Sequence, residues 1–255
     1  ETGYSYLSLD RRNRFLLGSN YGEGLSDVYS LDEQGHPKER VARLNEGLKA
    51  AHAVLPAPDN RFVYIPYVKD SNALYQYHFD PETGALSPLE PLAAKPPQGT
   101  GPRHIAYHPP LPMVYFSNEQ HLGVSVFEKA ADGQLSVKQV CDLSGVTPPE
   151  EGRSASDIAI TPNGRFLFTG IRGQEENFNF ISRYLLLEDG RVKHLGVTKA
   201  DHIPWGLALS PDGKWLLASG FKAGTLMAYR ITHHGELKRV ATLSWDESIS
   251  DLVTR

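Results

Sequence analysis

One pattern limits the folds open to this chain more than any other: its 255 residues repeat with a period of about 50. The matching segments are LSLDRRNRFLLGSNYG from Leu7, VLPAPDNRFVYIPYVK from Val54, IAYHPPLPMVYFSNEQ from Ile105, IAITPNGRFLFTGIRG from Ile158 and LALSPDGKWLLASGFK from Leu207. Their aligned basic residues, Arg14, Arg61, Arg165 and Lys214, stand 47, 104 (two units) and 49 residues apart. Pro112 takes that place in the third copy. In each copy a short apolar strand meets a Pro-Asp-Gly-like turn, whose Gly or Asn accepts positive φ. A second apolar strand follows. A third alternates, as in SDVYSL, ALYQYHF, VSVFEK, ISRYLL and LMAYRI. A polar turn and a fourth strand close the unit.

Four short antiparallel strands per 40–50 residues is the pattern of a β-propeller blade, so the fold class is all-β. Helices are a poor alternative, because 23 Gly and 18 Pro recur at intervals that would break every long one. Five full repeats are present. SWDESISDLVTR, at the end, reads as the start of a sixth or as the strand that closes the ring. No linker interrupts the pattern, so residues 1–255 are expected to form a single domain.

Composition removes several partners. The net charge is −4 with Lys and Arg scattered, so neither nucleic acid nor an anionic membrane is expected. No apolar run reaches the roughly 20 residues of a spanning helix. The single cysteine, Cys141, leaves no intrachain disulfide or cysteine-based zinc site. It reads as a small buried apolar residue in a reducing, cytoplasmic setting. No signal-peptide pattern opens this sequence, whose first residue is Glu1. Oligomeric state is not legible.

The repeat supplies its own control, because positions that differ in only one copy need a reason beyond scaffold. The two residues before the first strand are Ser5-Tyr6, His52-Ala53, Arg103-His104, Ser156-Asp157 and Trp205-Gly206. In a propeller the first strands line the central channel, so His52, Arg103, His104, Asp157 and Trp205 are expected to ring one funnel. The second strand returns to the same face. Its two end columns hold Asn20-Tyr21, Tyr67-Val68, Asn118-Glu119, Ile171-Arg172 and Gly220-Phe221. From these, Asn20, Tyr67, Asn118, Glu119 and Arg172 are added to the funnel. Arginines, histidines, carboxylates and amides converging on one concavity fit a small-molecule pocket. Glu119 and Asp157 are expected to pair with Arg103 and Arg172, because unpaired buried charge is costly. Polar ties between blades are the competing reading of any one of these residues. His108, His121 and the pair His233-His234 fall in turns and are expected to be solvated. A metal pair of His104 and His108 has no third ligand in pattern.

Several of these stretches resemble the seven-bladed β-propeller lactonases, a family that includes propeller-type 6-phosphogluconolactonases and is related to carboxy-muconate lactonizing enzymes. The resemblance is carried by RFLLGSNYG, AHAVLPAPDNRFVYIP, GTGPRHIAYHP with VYFSNE, SDIAITPNGRFLFTGIRG and LSPDGKWLLASG. It spans essentially the whole chain, and GPRH followed by NE is its most specific part. It implies a lactonase of carbohydrate metabolism, in the pentose phosphate pathway, acting on a sugar-acid lactone of the 6-phosphogluconolactone or gluconolactone type. It also implies site residues at His52, Arg103, His104, Glu119, Asp157, Arg172 and Asn20. Trp205 departs from it, standing where the family often shows arginine. The chain also begins at what matches the family's third blade, so either about two N-terminal blades are lacking or the ring is smaller.

Lactone hydrolysis needs a base for water and donors for the oxyanion. His52 or His104 is the expected base, with Glu119 or Asp157 as orienter or substitute. Arg103 and Arg172 are the expected anion or oxyanion donors, and Asn20, Asn118, Tyr67 and Trp205 complete the substrate-binding set. No cofactor and no metal is expected. Three alternatives stand beside this: a lactonizing cycloisomerase acting on a muconate, a non-catalytic interaction platform, and a metal-dependent lactonase using Asn20, Asn118, Glu119 and Asp157 as oxygen ligands.

Overall fold

A computed structural model describes residues 3–143, 153–175, 178–245 and 247–254. The repeat becomes five four-stranded antiparallel sheets, each built in sequence order. Blade 1 comprises β1 (Tyr6–Leu9), β2 (Phe15–Asn20), β3 (Leu25–Leu31) and β4 (Pro37–Leu44). Blade 2 comprises β5 (Leu55–Pro56), β6 (Phe62–Tyr67), β7 (Ala73–Phe79) and β8 (Leu86–Ala94). Blade 3 comprises β9 (Pro102–Tyr107), β10 (Met113–Asn118), β11 (Gly123–Lys129) and β12 (Leu135–Asp142). Blade 4 comprises β13 (Ser154–Ile160), β14 (Phe166–Arg172), β15 (Phe180–Leu186) and β16 (Val192–Lys199). Blade 5 comprises β17 (Pro204–Leu209), β18 (Trp215–Gly220), β19 (Thr225–Ile231) and β20 (Leu237–Ser244). Residues 247–254 form no strand, but they follow β17: Thr254 Oγ1 donates to the Leu209 carbonyl at 2.5 Å.

Burial explains the strand pattern. β6 and β10 are buried at every position, so they read as continuous apolar runs. Their two faces feed different interfaces. In β6, Phe62 and Tyr64 pack toward blade 3, while Val63, Ile65 and Tyr67 pack toward blade 1. Four apolar clusters fill the four interfaces between successive blades.

A repeated contact sets the register between blades. The turn joining the third and fourth strands carries a glycine that lies on the preceding blade's second strand. A Cβ on Gly84 would meet the Phe15 ring at 2.6 Å, on Gly133 the Phe62 ring at 2.2 Å, on Gly190 Met113 at 2.5 Å, and on Gly235 the Phe166 ring at 2.6 Å. Beside two of these glycines a buried tyrosine donates to the turn: Tyr64 to Gly133 O and Tyr115 to Gly190 O, each at 2.6 Å.

Near the axis the first strand slips by one residue against the second. Between Pro102 and Ile105 two residues, Arg103 and His104, oppose Ser117 alone. Likewise Ser156 and Asp157 oppose Gly170, and Trp205 and Gly206 oppose Ser219. Blade 2 slips at the same level, between Ala51 and Leu55. These are β-bulges, which re-aim side chains and are frequent beside active sites. Hydrogen bonds stitch them together: Ser117 Oγ donates to Ser156 O at 2.8 Å, and Ser156 Oγ donates to Pro204 O at 2.5 Å.

Candidate active site

The bulges explain how adjacent residues enter one site. In a regular strand Arg103 and His104 would face opposite ways. In the bulge both reach the funnel. His104 Nδ1 lies 2.8 Å from Asp157 Oδ1, one blade further on. Arg103 is fully buried, with Nε 3.1 Å from Glu119 Oε2. That contact is an ion pair, and among the described residues no other side chain or carbonyl hydrogen-bonds the Arg103 guanidinium. Arg172 Nη2 and His52 Nε2 approach the same Glu119 oxygen at 3.6 and 3.8 Å. The Trp205 ring lies 4.2 Å from the Arg172 guanidinium and 5.5 Å from that of Arg103.

Electrostatics follows from burial. Burial and the Arg103 charge hold both His52 and His104 well below the usual imidazole value, so both rings are neutral near pH 7. Burial pushes Asp157 up to about 6, against the pull of N–H groups from Leu207 and Ile158, each at 2.8 Å. Ionised Asp157 can only accept, so the His104 Nδ1 carries the proton and Nε2 keeps its lone pair. Burial, with Arg172 nearby, lowers Arg103 to about 9, which still leaves it charged.

His52, Arg103, His104, Glu119, Asp157, Arg172 and Trp205 therefore come together. Three other expected residues do not. Asn20 closes its own loop, with Nδ2 donating to Gly3 O at 2.6 Å and Oδ1 accepting from Glu23 N at 2.7 Å. Asn118 Oδ1 accepts from Ser125 Oγ at 2.8 Å inside blade 3. Tyr67 is core between blades 1 and 2, 5.2 Å from the Tyr75 ring. The cause is strand parity: the column ending in Glu119 and Arg172 faces the funnel, and the preceding column faces the blades. Strict period-two reading would have named Tyr21 and Phe221, which contact His52 at 5.5 Å and Trp205 at 4.9 Å. Tyr6, 4.9 Å from His104, belongs here too. So does Asp251, whose ISDLV aligns with the ASDIA around Asp157.

Further expectations are corrected. Asp157 pairs with His104, and both arginines share Glu119. His108 is buried, its Nδ1 accepting from Leu111 N at 3.2 Å. Cys141 is half-buried and packs against the cluster between blades 3 and 4. Asn20, Asn118, Glu119 and Asp157 do not converge as an oxygen cage. Among the described residues no three His, Cys, Asp or Glu side chains gather as metal ligands.

A family described as "Lactonase, 7-bladed beta-propeller" matches residues 2–248. The chain belongs to this lactonase family. It is 33% identical over 235 residues to the 6-phosphogluconolactonase of Klebsiella pneumoniae (strain 342), covering 89% of this chain and 66% of that protein. It is 31% identical over 237 residues to the 6-phosphogluconolactonase of Yersinia pestis (strain Pestoides F), covering 91% and 68%. The chain thus spans about two thirds of the length of these curated relatives. The Pseudomonas aeruginosa periplasmic gluconolactonase superposes with a TM-score of 0.83 at 22% identity, over 94% of this chain and 69% of that one. At that identity the likeness speaks for the fold. Among the described residues no helix is long and apolar enough to cross a membrane.

Proposed function

We propose that the chain hydrolyses a sugar-acid lactone in the funnel. One observation carries the reading: a neutral His104, oriented by Asp157, stands beside the buried guanidinium of Arg103, whose one partner among the described residues is Glu119. His104 Nε2 takes a proton from water as the water oxygen attacks the lactone carbonyl carbon. Arg103 donates to the oxyanion that forms, where a fixed donor in a dry site is worth most. On collapse the ring C–O bond breaks, and the imidazolium returns its proton to the departing hydroxyl. The product carboxylate can be gripped by Arg103 and Arg172. His52 packs 5.1 Å from His104 and shapes the wall behind it. No step is routed through a metal, because the two arginines occupy the charge-stabilising position beside Glu119. The named relatives support a lactone as substrate. We place the reaction in the cytoplasm on the single cysteine, which a fractionation of expressing cells would check.

The test is a panel of gluconolactone, 6-phosphogluconolactone and muconolactone, with and without chelator. His104→Ala and Arg103→Ala should each lower kcat/KM more than about 100-fold. Wild-type rates in both variants would overturn the assignment.

A further inference from the structure

Asn179 is fully buried and stands immediately before β15. Its side chain ties together two loops that lead to residues of the site. Oδ1 accepts from Gly173 N at 3.2 Å, one residue past Arg172, and from Ile203 N at 2.9 Å, two residues before Trp205. Nδ2 donates to Glu175 O at 2.9 Å.

Ile203 adds an independent observation. Its φ is +61°, a conformation that a β-branched residue adopts only where its surroundings hold it. The strain sits at the entry to the bulge that carries Trp205. The Ile203 carbonyl accepts from Phe221 N at 2.8 Å. One residue thus sets both rings of the Trp205–Phe221 contact, 4.9 Å apart. The Arg172 guanidinium also packs on Trp205, at 4.2 Å, while its Nε donates to Ser154 Oγ at 2.7 Å. Arg172, Ile203 and Trp205 line one small pocket of about 270 Å³.

Comparison among blades separates this clamp from ordinary scaffold. The position before the third strand holds Gly24, Asn72, Leu122, Asn179 and Gly224 in blades 1 to 5. Asn72 repeats the arrangement: its Oδ1 accepts from Gly101 N at 2.8 Å, and the Gly101 carbonyl accepts from Glu119 N at 2.8 Å. Gly101, two residues before Arg103, has a φ of +58°. Glycine takes that conformation without steric cost. Ile203 does not, so the asparagine carries more of the burden in blade 5.

We propose that Asn179 is a positioning residue, whose amide oxygen holds the strained Ile203 turn and thereby the stack of Arg172 on Trp205. Its bearing on catalysis rests on the hydrolase reading above, in which Arg172 grips the product carboxylate. The test uses the full chain carrying Trp215→Phe and Trp245→Phe, which leaves Trp205 as the single tryptophan. In that parent, Asn179→Ala should raise acrylamide quenching of Trp205. It should also weaken gluconate binding, titrated against the same fluorescence, at least about fivefold. Asn179→Asp keeps the accepting oxygen and should keep the parent's quenching. Asn72→Ala loosens the other turn and should leave Trp205 quenching unchanged, which a general loss of packing would not do. Parent-like quenching in Asn179→Ala, raised quenching in Asn179→Asp, or equal rises in Asn179→Ala and Asn72→Ala overturns the inference. So does unchanged gluconate affinity in Asn179→Ala, if the parent hydrolyses a lactone. If Asn179→Ala does not fold, Asn179→Asp decides: parent-like quenching supports the clamp and raised quenching overturns it. If the parent turns over no lactone, the hydrolase reading fails and the quenching comparison decides the clamp alone.

Discussion

Asp157 combines two environments that pull against each other. Burial raises its pKa to about 6, while Leu207 and Ile158 donate backbone N–H groups that favour the anion. Its protonation state sets the His104 tautomer, because a protonated Asp157 no longer demands a proton on Nδ1. The pair therefore titrates together, and acid should switch it off. Activity should fall as pH drops through about 6. Asp157→Asn should lower kcat by more than about 100-fold and abolish that acid limb. A pH–rate profile of kcat/KM checks both, and an unchanged limb in the variant would remove Asp157 from the chemistry. The sequence brought His104 and Asp157 to one funnel through the repeat alone. It could not show which carboxylate would meet which cation. That choice depends on angles around the axis, and no column of aligned residues encodes them.

At the level of the strand, the bulge is the working device. Gly170 stands opposite the bulge that carries Asp157, and a Cβ there would meet Ser156 Oγ at 2.1 Å and Pro204 O at 2.8 Å. Gly170→Ala should push the bulge aside. The expected cost is about 1–3 kcal/mol in stability, as for overpacking, and more than about tenfold in kcat/KM. A thermal melt run beside the rate assay checks it; wild-type values in both would mean the bulge does not position Asp157. The two-residue columns were visible in sequence, and the slip that lets both residues face inward was not. Only pairing reveals that Arg103 and His104 together oppose Ser117. The opposite error arose at the ends of β2, β6 and β10. There the strand stays regular, and Asn20, Tyr67 and Asn118 turn into the blades.

For the whole molecule, buried histidines should govern acid stability. His52, His104, His108 and His194 all lie below the ordinary imidazole value, chiefly through burial. Below pH 6.5 the unfolded chain binds protons that the folded chain refuses, so stability falls as pH falls. Asp157 and Asp251 act in the opposite sense, since their raised values make the folded chain hold protons more tightly. Four sites against two give a net loss on acidification. The melting temperature should drop by more than about 3 °C between pH 7.5 and pH 5, the shift that about 1 kcal/mol produces at this length. Calorimetry across that range checks it, and a flat profile would show that the histidines do not dominate. The architecture was the most legible feature, because blade interfaces are apolar and repeat, and five aligned copies average out local ambiguity. The tail was the least legible: SISDLV reads as strand, yet it reaches the funnel without joining a ladder.

The bulge has an evolutionary corollary. In blades 3, 4 and 5 it isolates two residues from the pairing of everything else. Arg-His, Ser-Asp and Trp-Gly occupy equivalent slots on nearly interchangeable frames. A blade of this kind can be rewritten at its mouth, two letters at a time, while every ladder hydrogen bond stays in place. Chemistry and architecture are thereby inherited separately, which leaves such a ring free to change its reaction without learning to fold again.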